Sequence, residues 1–170
     1  MTKDKKRILG IDPGFGRIGF GIIDGRGRDW KAVGYGCIET STKDSFIKRL
    51  EELHIILKKI LKKYNPDLAA VEDLFFYKNV TTAIKVGQAR GAILLTLRQA
   101  RIAVEEFTPL QIKQAVTGYG RAEKSQIQKM VQVQLSMKEK PRSDDAADAL
   151  AVALTCAYSM KMREIINKKL

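Results

Sequence analysis

The first forty residues alternate short apolar runs with glycine-rich breaks, and the rest of the chain is dominated by amphipathic periodicity. Residues 7–12, Arg-Ile-Leu-Gly-Ile-Asp, form an apolar run that ends on an aspartate, and Pro13-Gly14-Phe15-Gly16 is turn material. Residues 17–24 resume an apolar strand, residues 25–29 turn again, and residues 30–40 predict a third strand. Strands joined by such short turns pair as an antiparallel meander. Ser45 then caps a long helix in which Ile47, Leu50, Leu53, Ile56, Leu57, Ile60 and Leu61 recur at helical spacing, ended by Asn65-Pro66-Asp67. Residues 68–72 read as a short buried strand, 79–100 as a helix rich in alanine, glycine and leucine, and 102–107 as a fifth strand. Helices are predicted over about 109–117, 123–136 and 143–161, with a short basic tail from about 161.

The order βββαβαβααα places strand–helix–strand units in the middle of the chain, which requires parallel pairing there through right-handed crossovers. The expected fold is therefore α/β, a mixed five-stranded sheet flanked by helices, in a single domain spanning residues 1–170.

Charge adds a functional direction. Lysine and arginine total 31 against 19 acidic residues, a net charge of +12, and the excess is spread along the chain. A basic domain suits a polyanionic partner, most often nucleic acid, although a membrane surface or a merely basic soluble protein would share the signature. Cys37 and Cys156 sit in apolar stretches without CxxC spacing, and His54 is the only histidine, which argues against zinc and structural disulfides and for a reducing compartment. No signal-peptide core and no apolar run of the roughly 18 residues needed to span a bilayer is present, so a cytoplasmic protein with no membrane association is expected.

The acids are the candidate chemistry. Asp12 closes the first strand and Glu72 closes the fourth, and a carboxylate at the carboxyl end of a strand faces the crevice where open α/β sheets bind ligands. Asp-Pro-Gly is also ordinary turn chemistry. Asp73, next to Glu72, points to the opposite face by strand alternation. Asp144, Asp145 and Asp148 open the last helix behind Ser143; the first two suit the helix dipole there, whereas Asp148 lies a turn further in. Asp145 with Asp148 (i,i+3) and Asp144 with Asp148 (i,i+4) could both converge. Flanking alanines keep that helix slim enough to pack close to the sheet. Clustered carboxylates repel one another and are costly to bury, and a divalent cation removes that cost. Mg²⁺ takes oxygen ligands, and two such ions roughly 4 Å apart are the usual apparatus of phosphodiester hydrolysis.

Other residues point toward nucleic acid. Phe75-Phe76-Tyr77-Lys78 follows the strand that ends at Glu72; Phe76 reads as core, while Phe75 and Tyr77, in a loop position beside the acids, are placed to stack on bases. Lys113, Arg121 and Lys124, with Gln111, Gln114 and Gln126, give their region the look of a phosphate-facing surface, although helical lysines are more often simply solvated. The helix 79–100 carries Ala83, Val86, Gly87, Arg90, Gly91 and Leu94 at helical spacing, a stripe suited to its own sheet or to a twofold interface.

Five motifs occur in order: Ile11-Asp12-Pro13-Gly14; Val71-Glu72 with Phe75 and Lys78-Asn79; Gly87-Gln88-Ala89-Arg90-Gly91; Ala122-Glu123-Lys124-Ser125-Gln126; and Asp145-Ala146-Ala147-Asp148-Ala149-Leu150. Together, over about residues 7–158, the chain resembles the RuvC family of bacterial Holliday-junction resolvases. The resemblance implies a ribonuclease-H-like fold and a homodimer that cuts two strands of a four-way DNA junction symmetrically in recombination and repair, leaving 5′-phosphate nicks. It implies the RuvA–RuvB branch-migration complex as a partner. It also implies Asp12, Glu72, Asp145 and Asp148 as catalytic metal ligands for Mg²⁺, two ions per site with Mn²⁺ as a substitute. Phe75 corresponds to an aromatic near the junction crossover, and Lys113 and Lys124 correspond to residues at the DNA backbone. Asp144 departs from the pattern, which favours a small or neutral residue before Asp145.

Three other readings remain open at this level. A ribonuclease-H-like nuclease for another substrate, such as an RNA–DNA hybrid, would use the same chemistry. The run Asp-Pro-Gly-Phe-Gly-Arg also resembles the phosphate loop of actin-like kinases, which require a second such loop that this chain lacks. A non-catalytic DNA-binding module would not need four acids.

Overall fold

The first three apolar runs pair as a meander. β1 (Lys6–Asp12) and β2 (Arg17–Arg26) are antiparallel, with Asp12 opposite Gly19, and β2 pairs antiparallel with β3 (Asp29–Glu39). This computed structural model describes residues 5–73 and 80–167. The helix α1 (Phe46–Tyr64) returns the chain to β4 (Leu68–Glu72), parallel to β1, and α2 (Val80–Gln99) leads to β5 (Ala103–Phe107), parallel to β4. The sheet order is β3-β2-β1-β4-β5, the mixed five-stranded arrangement expected from the pattern. The helices α3 (Pro109–Thr117), α4 (Lys124–Gln134) and α5 (Asp144–Asn167) complete the chain.

Strand alternation divides the core between the two faces. Leu9, Ile11 and Ile22 pack with Leu53, Leu57, Ile93 and Leu97 of α1 and α2, whereas Ile8, Ile23 and Ala70 pack with α3, α4 and α5. The same alternation assigns Asp12 to the face of Ile8 and Gly10, and Glu72 to the face of Ala70, so both acids belong to the α5 side. Register makes them neighbours: Ile11 lies beside Val71 in the parallel pair, and Asp12 and Glu72 are the next residues along.

α5 reaches that edge because both surfaces are stripped of bulk. A Cβ on Gly10 would collide with the Ala149 carbonyl, and a Cβ on Gly19 with the Asp145 carbonyl. The helix contributes Ala149 and Ala153 to the contact, both buried. Overpacking of this kind costs roughly 1–3 kcal/mol even where some relaxation is possible.

Helix capping follows the sequence closely. Ser45 accepts from the Lys48 amide, and Asn65 closes α1 in the left-handed conformation (φ 45°). Thr108 and Gln111 form a reciprocal capping box at α3. Three expectations shift. The last helix does not stop near 161 but runs to Asn167, so residues 161–167 of the expected tail are helical; Arg163 anchors this extension through paired contacts of 2.9 and 2.7 Å to Glu105 of β5. α4 starts at Lys124, with Glu123 as its cap, and ends at Gln134 rather than 136. The small-residue stripe of α2 divides: Val86 is buried and Arg90 pairs with Asp73 and Glu106, while the exposed line is Val80, Ile84, Gly87, Gly91 and Leu95. His54 is structural, its Nδ1 lying 2.8 Å from Thr96 Oγ1 and joining α1 to α2. No helix among the described residues is long and apolar enough to cross a membrane.

Candidate active site

A cavity of about 250 Å³ opens at the carboxyl ends of β1 and β4. Asp12, Glu72 and Asp148 line it, together with Lys113, Lys124, Pro109, Ile112, Ile127 and Ala151. Thus two strand ends and the second turn of α5 bring three of the four predicted acids together. Lys113 from α3 and Lys124 from the start of α4 close the opposite side. Arg121 is exposed and does not line the cavity. Phe75, Tyr77 and Lys78 lie outside the described residues.

Burial and mutual repulsion set the electrostatics. Glu72 hydrogen-bonds Asp12, and burial, followed by the Asp12 charge, pushes the Glu72 carboxyl up to about 8. Burial first and the Asp148 charge second raise Asp12 to about 6, against the lowering effect of the Glu72 hydrogen bond. The two carboxyls therefore hold a proton between them near neutral pH, as paired buried acids do. Burial also raises Asp148, against the opposing hydrogen bond and charge of Lys124. Lys124 Nζ stands 3.0 Å from Asp148 Oδ2 and 3.5 Å from Asp144 Oδ2. Burial works against its ammonium, but the hydrogen bond and charge of Asp148, with Asp144 behind it, outweigh this and hold the pKa above the ordinary lysine value.

The fourth acid is placed differently. Asp145 does not line the cavity. Its Oδ2 lies 3.2 Å from Arg17 Nε and within 3.5 Å of Ser143 Oγ, whose own hydroxyl is 2.8 Å from Cys37 Sγ. Ser143, expected only as a helix cap, thus joins a polar group on the β2–β3 edge. Asp145 nevertheless lies close enough for its charge to raise both Asp12 and Asp148. Asp144 points outward, accepting from Gln128 Nε2 at 2.7 Å, a bond that together with the Lys124 charge lowers its pKa. Its charge is felt by Asp148. Asp73 turns away to Arg90, as strand alternation predicts. Arg17 was not singled out in the sequence, because nothing local links a strand's first residue to a distant helix start.

Among the described residues, no three acid, histidine or cysteine side chains stand close enough to form a preformed metal cage. The donor set still fits a hard cation: it is all oxygen, it is partly desolvated, and its members resist sharing negative charge. Lys124 supplies positive charge at one side of it. Cys156 offers no competing softer site, since it is buried, its thiol pushed up to about 12 by that burial.

The chain is similar in sequence and in fold to known proteins. Residues 8–156 match the sequence profile of the family described as "Crossover junction endodeoxyribonuclease RuvC". A protein of that name from Halothermothrix orenii is 50% identical over 155 residues, covering 91% of this chain and 94% of the relative. Another from Petrotoga mobilis is 53% identical over 146 residues, covering 86% and 90%. The solved structure described as T. thermophilus RuvC in complex with Holliday junction substrate superposes with a TM-score of 0.88 at 35% identity, covering 93% of this chain and 96% of that one.

Proposed function

The chain belongs to the RuvC family of crossover junction endodeoxyribonucleases, and from that premise we propose that its acidic cavity is the site at which phosphodiester bonds of a four-way DNA junction are hydrolysed with the help of a divalent metal. The observation that carries the site assignment is the convergence of Asp12, Glu72 and Asp148 in one cavity rimmed by Lys113 and Lys124. Asp12, Glu72 and Asp148 would hold Mg²⁺, with Asp145 joining once it exchanges Arg17 for the metal. Two ions would fill the site, and Mn²⁺ would serve in place of Mg²⁺. Bound metal supplies an activated water and stabilises the leaving oxygen. The chain's own contribution is to desolvate the acids, keep them on rigid strand ends, and present Lys113 and Lys124 to the phosphates flanking the cut.

Symmetric cleavage of two strands calls for two such cavities. The exposed line Val80, Ile84, Gly87, Gly91 and Leu95 on α2 is the surface we assign to a twofold homodimer; a Cβ on Gly87 or Gly91 would meet only open space within the chain. Phe75 is assigned to DNA contact, the products to 5′-phosphate nicks, and the RuvA–RuvB complex to the role of partner, on the family resemblance; Tyr77, Lys78 and Arg121 are assigned to DNA contact on their place in the sequence. The test is cleavage in Mg²⁺ of a four-way junction, a linear duplex and an RNA–DNA hybrid. Preferential, paired nicking of the junction is expected; preference for the hybrid would replace this reading with that of a ribonuclease.

A further inference from the structure

Arg49, in the first turn of α1, is only 8% exposed. Its Nε donates to Thr40 Oγ1 at 3.0 Å, and its guanidinium lies 4.3 Å from the centre of the Phe15 ring. Among the described residues it makes no ion pair with an acid. A buried charge lacking a counter-charge is costly, and neither a hydroxyl nor an aromatic face replaces a carboxylate.

The surroundings indicate what supplies the missing charge. Lys85 Nζ of α2 lies 5.0 Å from the same Phe15 ring, so two cations flank one aromatic. The turn after β1 is shaped around the arginine: Gly16 has φ +90°, and a Cβ there would strike Arg49 Nη2. A hollow of about 10 Å³, room for a single oxygen atom, has Arg49 and Thr40 as its polar side chains among an otherwise apolar lining that includes Phe15, Phe46 and Leu53. Phe15 follows Asp12 by three residues, roughly 11 Å at full stretch. An anion held here would sit at the same edge of the sheet as the acidic cavity, on the α1–α2 face rather than the α5 face that carries Asp12 and Glu72.

We propose that Arg49 and Lys85, on either side of Phe15, bind a backbone phosphate of the DNA strand a few nucleotides from the bond being cut. Arg49 inserts its fork toward one phosphate oxygen, and Lys85 acts as a point charge from the α2 side. Phe15 holds the two cations apart and shields them from water. The assignment rests on the reading of the chain as a junction nuclease.

The experiment is equilibrium binding of a fluorescent four-way junction in EDTA, across a salt series, for the wild type, Arg49→Gln, Arg49→Lys and Lys85→Gln, with thermal melts of each. The expected result is an affinity loss of about tenfold for Arg49→Gln, with the slope of log affinity against log salt reduced by about one, a smaller loss for Lys85→Gln with a similar slope change, and partial recovery in Arg49→Lys. A lower melting temperature with unchanged affinity and slope would make Arg49 purely structural and overturn the proposal. Should Arg49→Gln fail to fold, Lys85→Gln decides: an unchanged slope overturns the site. Failure of the wild type itself to bind the junction would instead sink the nuclease reading, and the phosphate site with it.

Discussion

Lys124 Nζ stands 3.0 Å from Asp148 Oδ2 and 3.5 Å from Asp144 Oδ2, at the rim of the cavity Asp148 shares with Asp12 and Glu72. The lysine is half-exposed, so its ion pairs add little to folding. Its value lies in offering positive charge where a phosphate would enter. Lys124→Gln should lower junction cleavage by about tenfold or more and flatten the salt dependence of binding by about one unit of slope, with a melting temperature close to wild type. An unchanged salt slope would remove Lys124 from the phosphate contacts.

Asp144 and Asp145 differ in what they can reach. Asp145 raises the pKa of Asp12, whereas Asp144 is turned toward Gln128 and Lys124 at the surface. Asp145→Asn should therefore reduce cleavage about 100-fold or more, in the range seen when a group acting on the reacting charge is lost. Asp144→Asn should stay within about threefold of wild type. Steady-state cleavage rates of the two variants check this, and equal losses would mean that Asp144 shares the site.

The Asp12–Glu72 pair makes stability depend on pH. Glu72 is raised from 4.5 to about 8, so the folded state binds a proton that the unfolded state releases. That contribution is fully present below about pH 4.5 and is lost as pH rises through about 8. In metal-free protein, Glu72→Gln should raise the melting temperature at pH 9 by the equivalent of a few kcal/mol and have little effect at pH 4. Mg²⁺ should stabilise the wild type increasingly as pH rises, because its ligands must be deprotonated. Melting curves at the two pH values, with and without Mg²⁺, carry the test; a variant destabilised equally at both would argue against a shared buried proton.

The parts of this site that were legible in the sequence are those set by local pattern. Asp12 and Glu72 each close an apolar strand; that they share one face follows from the register of the parallel pair. Asp148 was legible because it lies too deep in its helix for capping. The choice between Asp144 and Asp145 was not, since spacings of three and four both converge on Asp148. How α5 lies on the sheet sets the two apart, Gly19 admitting the Asp145 backbone while Asp144 turns outward to Gln128. The Arg17–Asp145 pair and the Arg163–Glu105 anchor were hidden for the same reason, because each joins distant segments only after the sheet has formed. Nothing in the local pattern distinguishes Arg49, whose burial depends on Thr40 and Phe15 closing over it.

The most direct measurement of the central claim is junction cleavage by wild type and Asp12→Asn, each in Mg²⁺ and in EDTA, alongside junction binding in EDTA. The wild type should nick the junction only with the metal present. Asp12→Asn should bind within a few-fold of wild type, because phosphate contacts supply most of the affinity, and should not cut. Substantial cleavage by Asp12→Asn, or by the wild type in EDTA, would contradict the assignment of this cavity as a metal-dependent nuclease site.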